Sequence, residues 1–171
     1  MNRRGILTLS TLAVLGFALL PGSAVGQQKS LKDQIVGSWT YASADTVRAD
    51  GSRVPTWGPN FSGLVIFGAD GHFVSLVGRA DVPKFASGSR AAGTADENKA
   101  AMIGSIALFG TYTINEADRS LTYHIERSSF PNWSGTDQKR PFTLAGDELK
   151  YIVPAASAGD GRAEVVLKRA K

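Results

Sequence analysis

Apolar and polar residues alternate in short runs along the chain from about residue 36 onwards. In SLTYHIER, residues 120–127, every second residue is apolar, so one face of the run is apolar and the other is polar. A period of two is typical of β-strands that bury one face. The pattern predicts about eight to nine strands, over residues 36–47, 53–57, 63–67, 72–79, 107–114, 120–127, 140–144, 149–153 and 163–168.

Short turn sequences separate most of these runs. They contain Gly, Asp or Asn, which tolerate hairpin backbone angles, as in GADG at 68–71, AGDE at 145–148 and AGDG at 158–161. Short strands joined by tight turns are typical of a β-sandwich or of a barrel. Consecutive hairpins favour the barrel, because its closure leaves no exposed sheet edge. We therefore predict an all-β fold, an antiparallel up-and-down barrel.

The segment from residue 80 to residue 105 lacks this alternation. Within it, Thr94 and Glu97 have the spacing of a helix capping box. This spacing predicts one short helix over residues 95–103. Its apolar positions are too sparse for a central core helix, so we expect it to lie across one mouth of the barrel.

The first 26 residues have the pattern of a secretory signal peptide. Arg3 and Arg4 precede an apolar run over residues 6–20, and small residues follow it. The alternative is an uncleaved membrane anchor, but a bilayer span needs about 20 apolar residues. We expect cleavage, export to the periplasm or the medium, and a single barrel domain over residues 27–171 with no stable membrane insertion.

The composition excludes several classes of partner and cofactor. The formal net charge is +4, and it includes the two arginines of the leader. This positive charge is too small to indicate nucleic acid binding. The chain has no cysteine and two histidines, without the spacing of a metal site. No phosphate-binding loop, dinucleotide fingerprint or nucleophile elbow is present. We therefore expect no metal and no cofactor.

Several segments together carry a family likeness. The chain has IVGSWTY at 35–41, GLVIFGADGHFVS at 63–75, and FPNWSGTDQKR at 130–140. With these segments it resembles the bacterial and fungal lipocalin-like domain family. The resemblance implies a small calycin-like barrel in which Trp39 closes the base beside a basic residue of the last strand, Lys168 or Arg169. It implies little about activity.

The polar face of residues 120–127 has two interpretations. His124 and Glu126 are two residues apart and share a face of the predicted strand. They lie either on a solvated outer face or in an inward-facing polar site, and the H-x-E pattern of the similar family supports the second interpretation. If they face inward, they are candidates for an acid/base pair in a small-barrel enzyme of the cyclase or isomerase type.

The stretch SSFPNWSGTDQKRPF, residues 128–142, is longer than a tight hairpin requires. Pro131 interrupts strand pairing, and Phe130 and Trp133 are large aromatics that either pack beneath the loop or contact a ligand at the barrel rim. Asn132 lies in a glycosylation sequon, as does Asn60. A tryptophan within the sequon favours burial over a glycan.

The combined expectation is an exported binding protein for a small, largely apolar molecule with a polar or anionic end. Such sites are mostly apolar with a few convergent polar groups, and we expect Val65, Phe67 and Phe73 among the lining. Arg79 and Arg140 lie near predicted strand ends, where guanidinium groups suit an anion. A purely structural module would instead have a barrel filled by side chains. The candidate ligand-binding residues are Arg79, Tyr112, His124, Glu126, Trp133 and Arg140.

Overall fold

The computed structural model describes residues 29–157, 159 and 161–171, so the proposed leader lies outside the described residues. Within this described part of the chain, nine strands and two α-helices follow one another. They are α1 (Leu31–Ile35), β1 (Gly37–Val47), β2 (Arg53–Pro55), β3 (Phe61–Phe67), β4 (His72–Arg79), α2 (Ala95–Gly104), β5 (Ser105–Asn115), β6 (Ser120–Ser128), β7 (Thr136–Ala145), β8 (Glu148–Val153) and β9 (Arg162–Arg169).

Eight of the strands close an antiparallel barrel. From β3 to β9 each strand pairs with the next along the chain, and β1 pairs with β3 on one edge and with β9 on the other. The short β2 pairs with Asp45–Val47, at the C-terminal end of β1. It lies along the same edge of β1 as β3, which pairs with Gly37–Thr40 at the N-terminal end. The predicted up-and-down barrel is therefore confirmed, with β2 as an additional strand.

The helix expected after β4 is present and begins where the sequence indicates. The Thr94 side chain accepts a hydrogen bond from the Glu97 backbone N–H, and the Glu97 carboxylate accepts one from the Thr94 backbone N–H. These reciprocal bonds satisfy backbone donors that have no partner within the helix. Among the residues that the structure describes, no helix has the length and apolar character needed to cross a membrane.

Two local features differ from the sequence prediction. The helix α1 was not predicted, although Ser30 caps it by accepting a hydrogen bond from the Asp33 N–H. The connection between β6 and β7 is shorter than residues 128–142, because β7 already begins at Thr136. A single 3-10 turn, Pro131–Trp133, occupies most of that connection.

One end of the barrel is closed by packed side chains and by α1. Trp39 is fully buried and donates its indole N–H to the Ile35 carbonyl. The Arg169 guanidinium lies 4.2 Å from the centre of the Trp39 ring and donates to the carbonyls of Val36 and Gln34. The base partner of Trp39 is thus Arg169, one of the two residues that the resemblance offered.

The half of the barrel above this base is a packed core. Phe67 meets Tyr112 edge to face at 5.0 Å, and Phe73 stacks on Tyr123 at 4.0 Å. These side chains and Val65 are all buried. They were expected to line a ligand cavity, but they fill the closed half of the barrel, and the open space lies in the other half.

Candidate functional site

A cavity occupies the open half of the barrel, opposite α1. It measures about 50 Å³ as space open to water, and about 490 Å³ when all space between the lining atoms and at the open mouth is counted. Most of its wall is apolar or aromatic. The lining residues are Tyr41, Ala44, Thr56, Trp57, Ser75, Val77, Ile106, Leu108, Trp133, Arg140, Tyr151, Val153, Ala156, Ser157, Ala163 and Val165.

The rim of the cavity is formed by the β6–β7 connection and by the segment after β2. Trp133 ends the 3-10 turn that Pro131 begins, and its carbonyl accepts a hydrogen bond from the Thr136 hydroxyl. Its ring contacts Phe130 edge to face at 5.8 Å. An outer groove of about 290 Å³, bordered by Met102 and Ile103 of α2 and by Phe130, shares Trp57 and Ile106 with the cavity.

Arg140 is the charged side chain in the cavity wall. It lies on β7 on the same face as Phe142, and only 3% of its surface is exposed. Its guanidinium carbon lies 4.1 Å from the centre of the Tyr123 ring and 5.2 Å from that of Tyr151. Cation–π contacts of this kind stabilise a buried guanidinium, but they do not use its N–H groups.

The hydrogen bonding of Arg140 is incomplete. Its Nη2 donates to the Gln138 side-chain carbonyl at 2.6 Å, and its buried Nε has no partner among the described residues. No described Asp or Glu forms an ion pair with it, and none lines the cavity. A guanidinium carries five N–H donors and stays charged inside a protein. The cavity therefore contains a positive charge with donors to spare.

Tyrosine hydroxyls form the other polar groups in this part of the barrel. The Tyr41 hydroxyl lies 3.0 Å from Ser75 Oγ and 3.3 Å from the Tyr151 hydroxyl, whereas the buried Tyr123 hydroxyl has no partner among the described residues. Burial raises the pKa of Tyr123 and of Tyr151 well above the ordinary value for tyrosine. Both phenols are consequently neutral over the physiological pH range.

His124 and Glu126 lie outside the cavity. His124 is on the outer face, where its Nδ1 is 2.8 Å from Asp137 Oδ1, and Glu126 is exposed. A β-bulge removes Glu126 from the strand register, because Phe109 pairs with Arg127 and Gly110 with Ile125. The interpretation of these two residues as an inward-facing acid/base pair is wrong, since they enter no common cavity.

Arg79 and Tyr112 are also separate from the cavity wall. Arg79 is exposed at the end of β4 and donates two hydrogen bonds of 2.8 Å to Asp81, which hold the pKa of that carboxyl below its usual value. Tyr112 is buried in the closed half and donates its hydroxyl to the Gly68 carbonyl. Of the six predicted residues, the structure brings only Trp133 and Arg140 together at the cavity.

Sequence reasoning missed part of this wall. Gln138 shares the inward face of β7 with Arg140, and the two-residue spacing could have linked them. Tyr41, Trp57 and Tyr151 come from three separate segments, and no local pattern connects them. Among the described residues, no group of three or more His, Asp or Glu side chains could hold a metal ion.

The fold and the cavity define a small lipocalin-like barrel. The model of the lipocalin-like domain family matches residues 36–171, and the chain belongs to that family. A relative in Aspergillus oryzae, named a 4'-hydroxy-3'-methoxypropiophenone carrier protein, is 33% identical over 75 residues, which are 39% of this chain and 68% of the relative. Family, fold and relative together support the binding of a ligand.

Proposed function

We propose that this protein binds and carries a small, largely apolar molecule with a polar end, held in the open-half cavity. The observation that carries the proposal is Arg140, a buried guanidinium in a mostly apolar wall whose hydrogen bonding is left incomplete by its one side-chain acceptor, Gln138. Buried polar groups in folded proteins nearly always have hydrogen-bond partners. A ligand with an acceptor at its inner end would supply the missing partner.

The dimensions of the cavity favour a ligand about the size of one aromatic ring. Ligand pockets usually measure about 300–1,000 Å³, whereas only about 50 Å³ of this cavity is open to water. A ligand must therefore be small, and the side chains at the rim must move to admit it. A long acyl chain would have to displace the packed aromatic side chains of the closed half. The molecule in the name of the A. oryzae carrier, an aryl ketone with one ring, is of a size consistent with this proposal.

Export is part of the same proposal. It rests on the signal-peptide pattern of residues 1–26. A carrier outside the cytoplasm would capture its ligand from the periplasm or the medium. The enzyme alternative has lost the two side chains on which it depended, because both lie on the outside of the barrel.

The test combines native mass spectrometry with tryptophan fluorescence. Protein purified from its own source is examined for a bound small molecule, and the purified barrel is then titrated with 4'-hydroxyacetophenone, decanoate and retinol. We expect the single-ring ketone to change the emission of Trp57 and Trp133, which line the cavity. The variant Trp133→Phe should bind with a smaller signal change, while Trp39 in the base provides a constant background.

The carrier proposal would be abandoned on a defined combination of results. These are the absence of a co-purifying molecule, no fluorescence response to any of the three probes, and no heat of binding by calorimetry. Tight binding of decanoate or retinol in preference to the ketone would overturn the size argument alone.

A further inference from the structure

We propose that the ligand is a single-ring aromatic anion, a phenolate or an aryl carboxylate, whose charged oxygen binds the Arg140 guanidinium. This inference rests on the proposed function and specifies its ligand class. The charge of the ligand, the orientation of its charged end and the shape of its body each follow from a different set of contacts.

The charge of the ligand follows from the lack of a counter-charge for Arg140 among the residues that the structure describes. Only 3% of the surface of Arg140 is exposed, and no described carboxylate pairs with it. An unpaired buried ion is costly, and native proteins usually pair such groups. A neutral acceptor would satisfy one N–H but leave the charge uncompensated. An anion satisfies both the N–H groups and the charge.

The orientation follows from what already contacts the guanidinium. Tyr123 lies against the guanidinium at 4.1 Å, and Gln138 accepts one Nη2 hydrogen at 2.6 Å. Gln138 thus holds the planar group in place as a positioning residue. The N–H groups of the guanidinium that face the cavity and that Gln138 does not bind are left for the oxygens of a carboxylate or for one phenolate oxygen. The anionic end of the ligand therefore lies at the inner part of the cavity.

The shape of the ligand follows from the side chains around that end. Tyr41, Tyr151, Trp57 and Trp133 contribute ring surfaces to a narrow cavity, and most of the remaining lining is aliphatic. A flat ring makes favourable contacts with such surfaces. A small inorganic anion would fill the polar end but leave the aromatic wall without contacts.

Anion binding couples the affinity of a weakly acidic ligand to pH. The titratable groups that face Arg140 are Tyr123 and Tyr151 from the neighbouring strands and Tyr41 from β1, which lies elsewhere in the barrel wall. Burial raises the pKa of Tyr123 and of Tyr151, so these two stay protonated at neutral pH. Binding should therefore stabilise the ionised ligand and lower the pKa of its acidic group in the complex.

The test uses 4-nitrophenol and its methyl ether, 4-nitroanisole, which have nearly the same shape. The phenol ionises near neutral pH and the phenolate is yellow, so absorbance reports the ionisation of the bound probe directly. We expect wild-type protein to bind 4-nitrophenolate roughly tenfold or more tightly than 4-nitroanisole. The pKa of the bound phenol should fall by about one unit or more, because a tenfold preference for the ionised form corresponds to one pKa unit.

Three variants separate charge from folding. Arg140→Gln should abolish the preference for the phenolate while still binding 4-nitroanisole, which shows that the barrel is folded. Gln138→Glu keeps the arginine but gives it an internal carboxylate, and it should weaken phenolate binding roughly tenfold or more. Lys139→Gln removes one positive charge from the outer face next to Arg140, where the lysine pairs with Asp118, and should change neither affinity.

The outcomes distinguish the ligand class from the carrier proposal. Equal affinity for the two probes, or a bound phenol with an unchanged pKa, would overturn the anion inference and leave the carrier proposal standing. Binding of neither probe would overturn the single-ring anion inference, whereas the carrier proposal falls only if the co-purification, fluorescence and calorimetry results are also negative. A preference for the phenolate that survives in Arg140→Gln would also refute the role assigned to that residue.

Discussion

We expect Arg140 to lower the stability of the protein in its unliganded form. Its charge is removed from water and is compensated only by aromatic faces and one amide oxygen. Such an arrangement is typical of a binding group, because functional sites often retain strain and charge that folding alone would not select. Stability and binding should therefore respond in opposite directions to its replacement.

We expect Arg140→Met to raise the free energy of unfolding by about 1 kcal/mol. The gain from removing a buried unpaired charge should exceed the loss of the cation–π contact with Tyr123. Urea denaturation followed by circular dichroism measures the change. Lys139→Gln is the control, with an expected change within about 0.5 kcal/mol. A loss of about 1 kcal/mol or more in the methionine variant would show that the charge is already satisfied.

The buried tyrosines make stability depend on pH in the alkaline range. Burial raises the folded-state pKa of Tyr123 and Tyr151, so above about pH 10 the unfolded chain releases protons that the folded protein retains. The contribution of these groups to stability is thus fully present below that pH and is lost as the pH rises. We expect Tyr123→Phe to reduce this loss when unfolding is measured between about pH 8 and pH 11.

The same variant should not be destabilised at neutral pH. The Tyr123 hydroxyl has no hydrogen-bond partner among the described residues, so its removal leaves no other group unsatisfied. If Tyr123→Phe loses stability at alkaline pH as steeply as the wild type does, groups other than Tyr123 control that loss.

At the scale of the strands, the bulge in β6 depends on a glycine in β5. Gly110 lies opposite the bulge, and a Cβ there would collide with the backbone oxygen of His124. The absence of a side chain lets the two backbones approach closely, as bulges often require. This close approach holds the register that places Tyr123 inward and Glu126 outward.

We expect Gly110→Ala to lower the free energy of unfolding by about 1–3 kcal/mol, because the backbone must shift to admit the methyl group. Chemical denaturation measures this loss. Ala107→Ser, on an exposed position of the same strand, is the control and should change stability by less than about 0.5 kcal/mol. A stable alanine variant would mean that the bulge is easily rearranged.

The strands were predictable because their two-residue periodicity is local, and the Thr94–Glu97 box gave the start of α2 for the same reason. The five-residue α1 is too short to leave a periodic pattern. Alternation also separates two faces without saying which is inward. A charged residue usually faces water, so nothing local predicts that Arg140 is buried while His124 lies outside.

At the scale of the whole molecule, the two ends of the barrel have separate roles. The closed end is held by Arg169, which binds two backbone carbonyls and covers Trp39, and the open end contains the cavity. No described residue of the cavity wall belongs to this basal cluster. Changes at the base should therefore affect stability without affecting affinity.

We expect Arg169→Met to lower the free energy of unfolding by about 2–4 kcal/mol, because two carbonyls lose a charged donor and the Trp39 ring loses its cation. Thermal and chemical denaturation measure the loss. At a temperature where the variant is folded, its affinity for 4-nitrophenol should equal that of the wild type. A weaker affinity under that condition would contradict the separation of the two ends.

The proposed export makes a prediction for the full-length chain. Mass spectrometry of the protein recovered from the periplasm or the medium should find an N-terminus near residue 27, because small residues precede that position. Replacing Arg3 and Arg4 with glutamate should reduce the exported amount. A full-length species retained in the membrane would refute this prediction.

The seam between β1 and β9 has a consequence for the order of folding. From β3 onwards every strand pairs with its neighbour in the chain, whereas this seam joins residues as distant as Trp39 and Arg169. Local hairpins form quickly, but a contact between distant residues requires the closure of a long loop, which slows its formation. The hairpins between β3 and β9 can therefore assemble early as an open, curved sheet. We expect the ring to close last, so a chain still being synthesised has no complete core until its ninth strand is available.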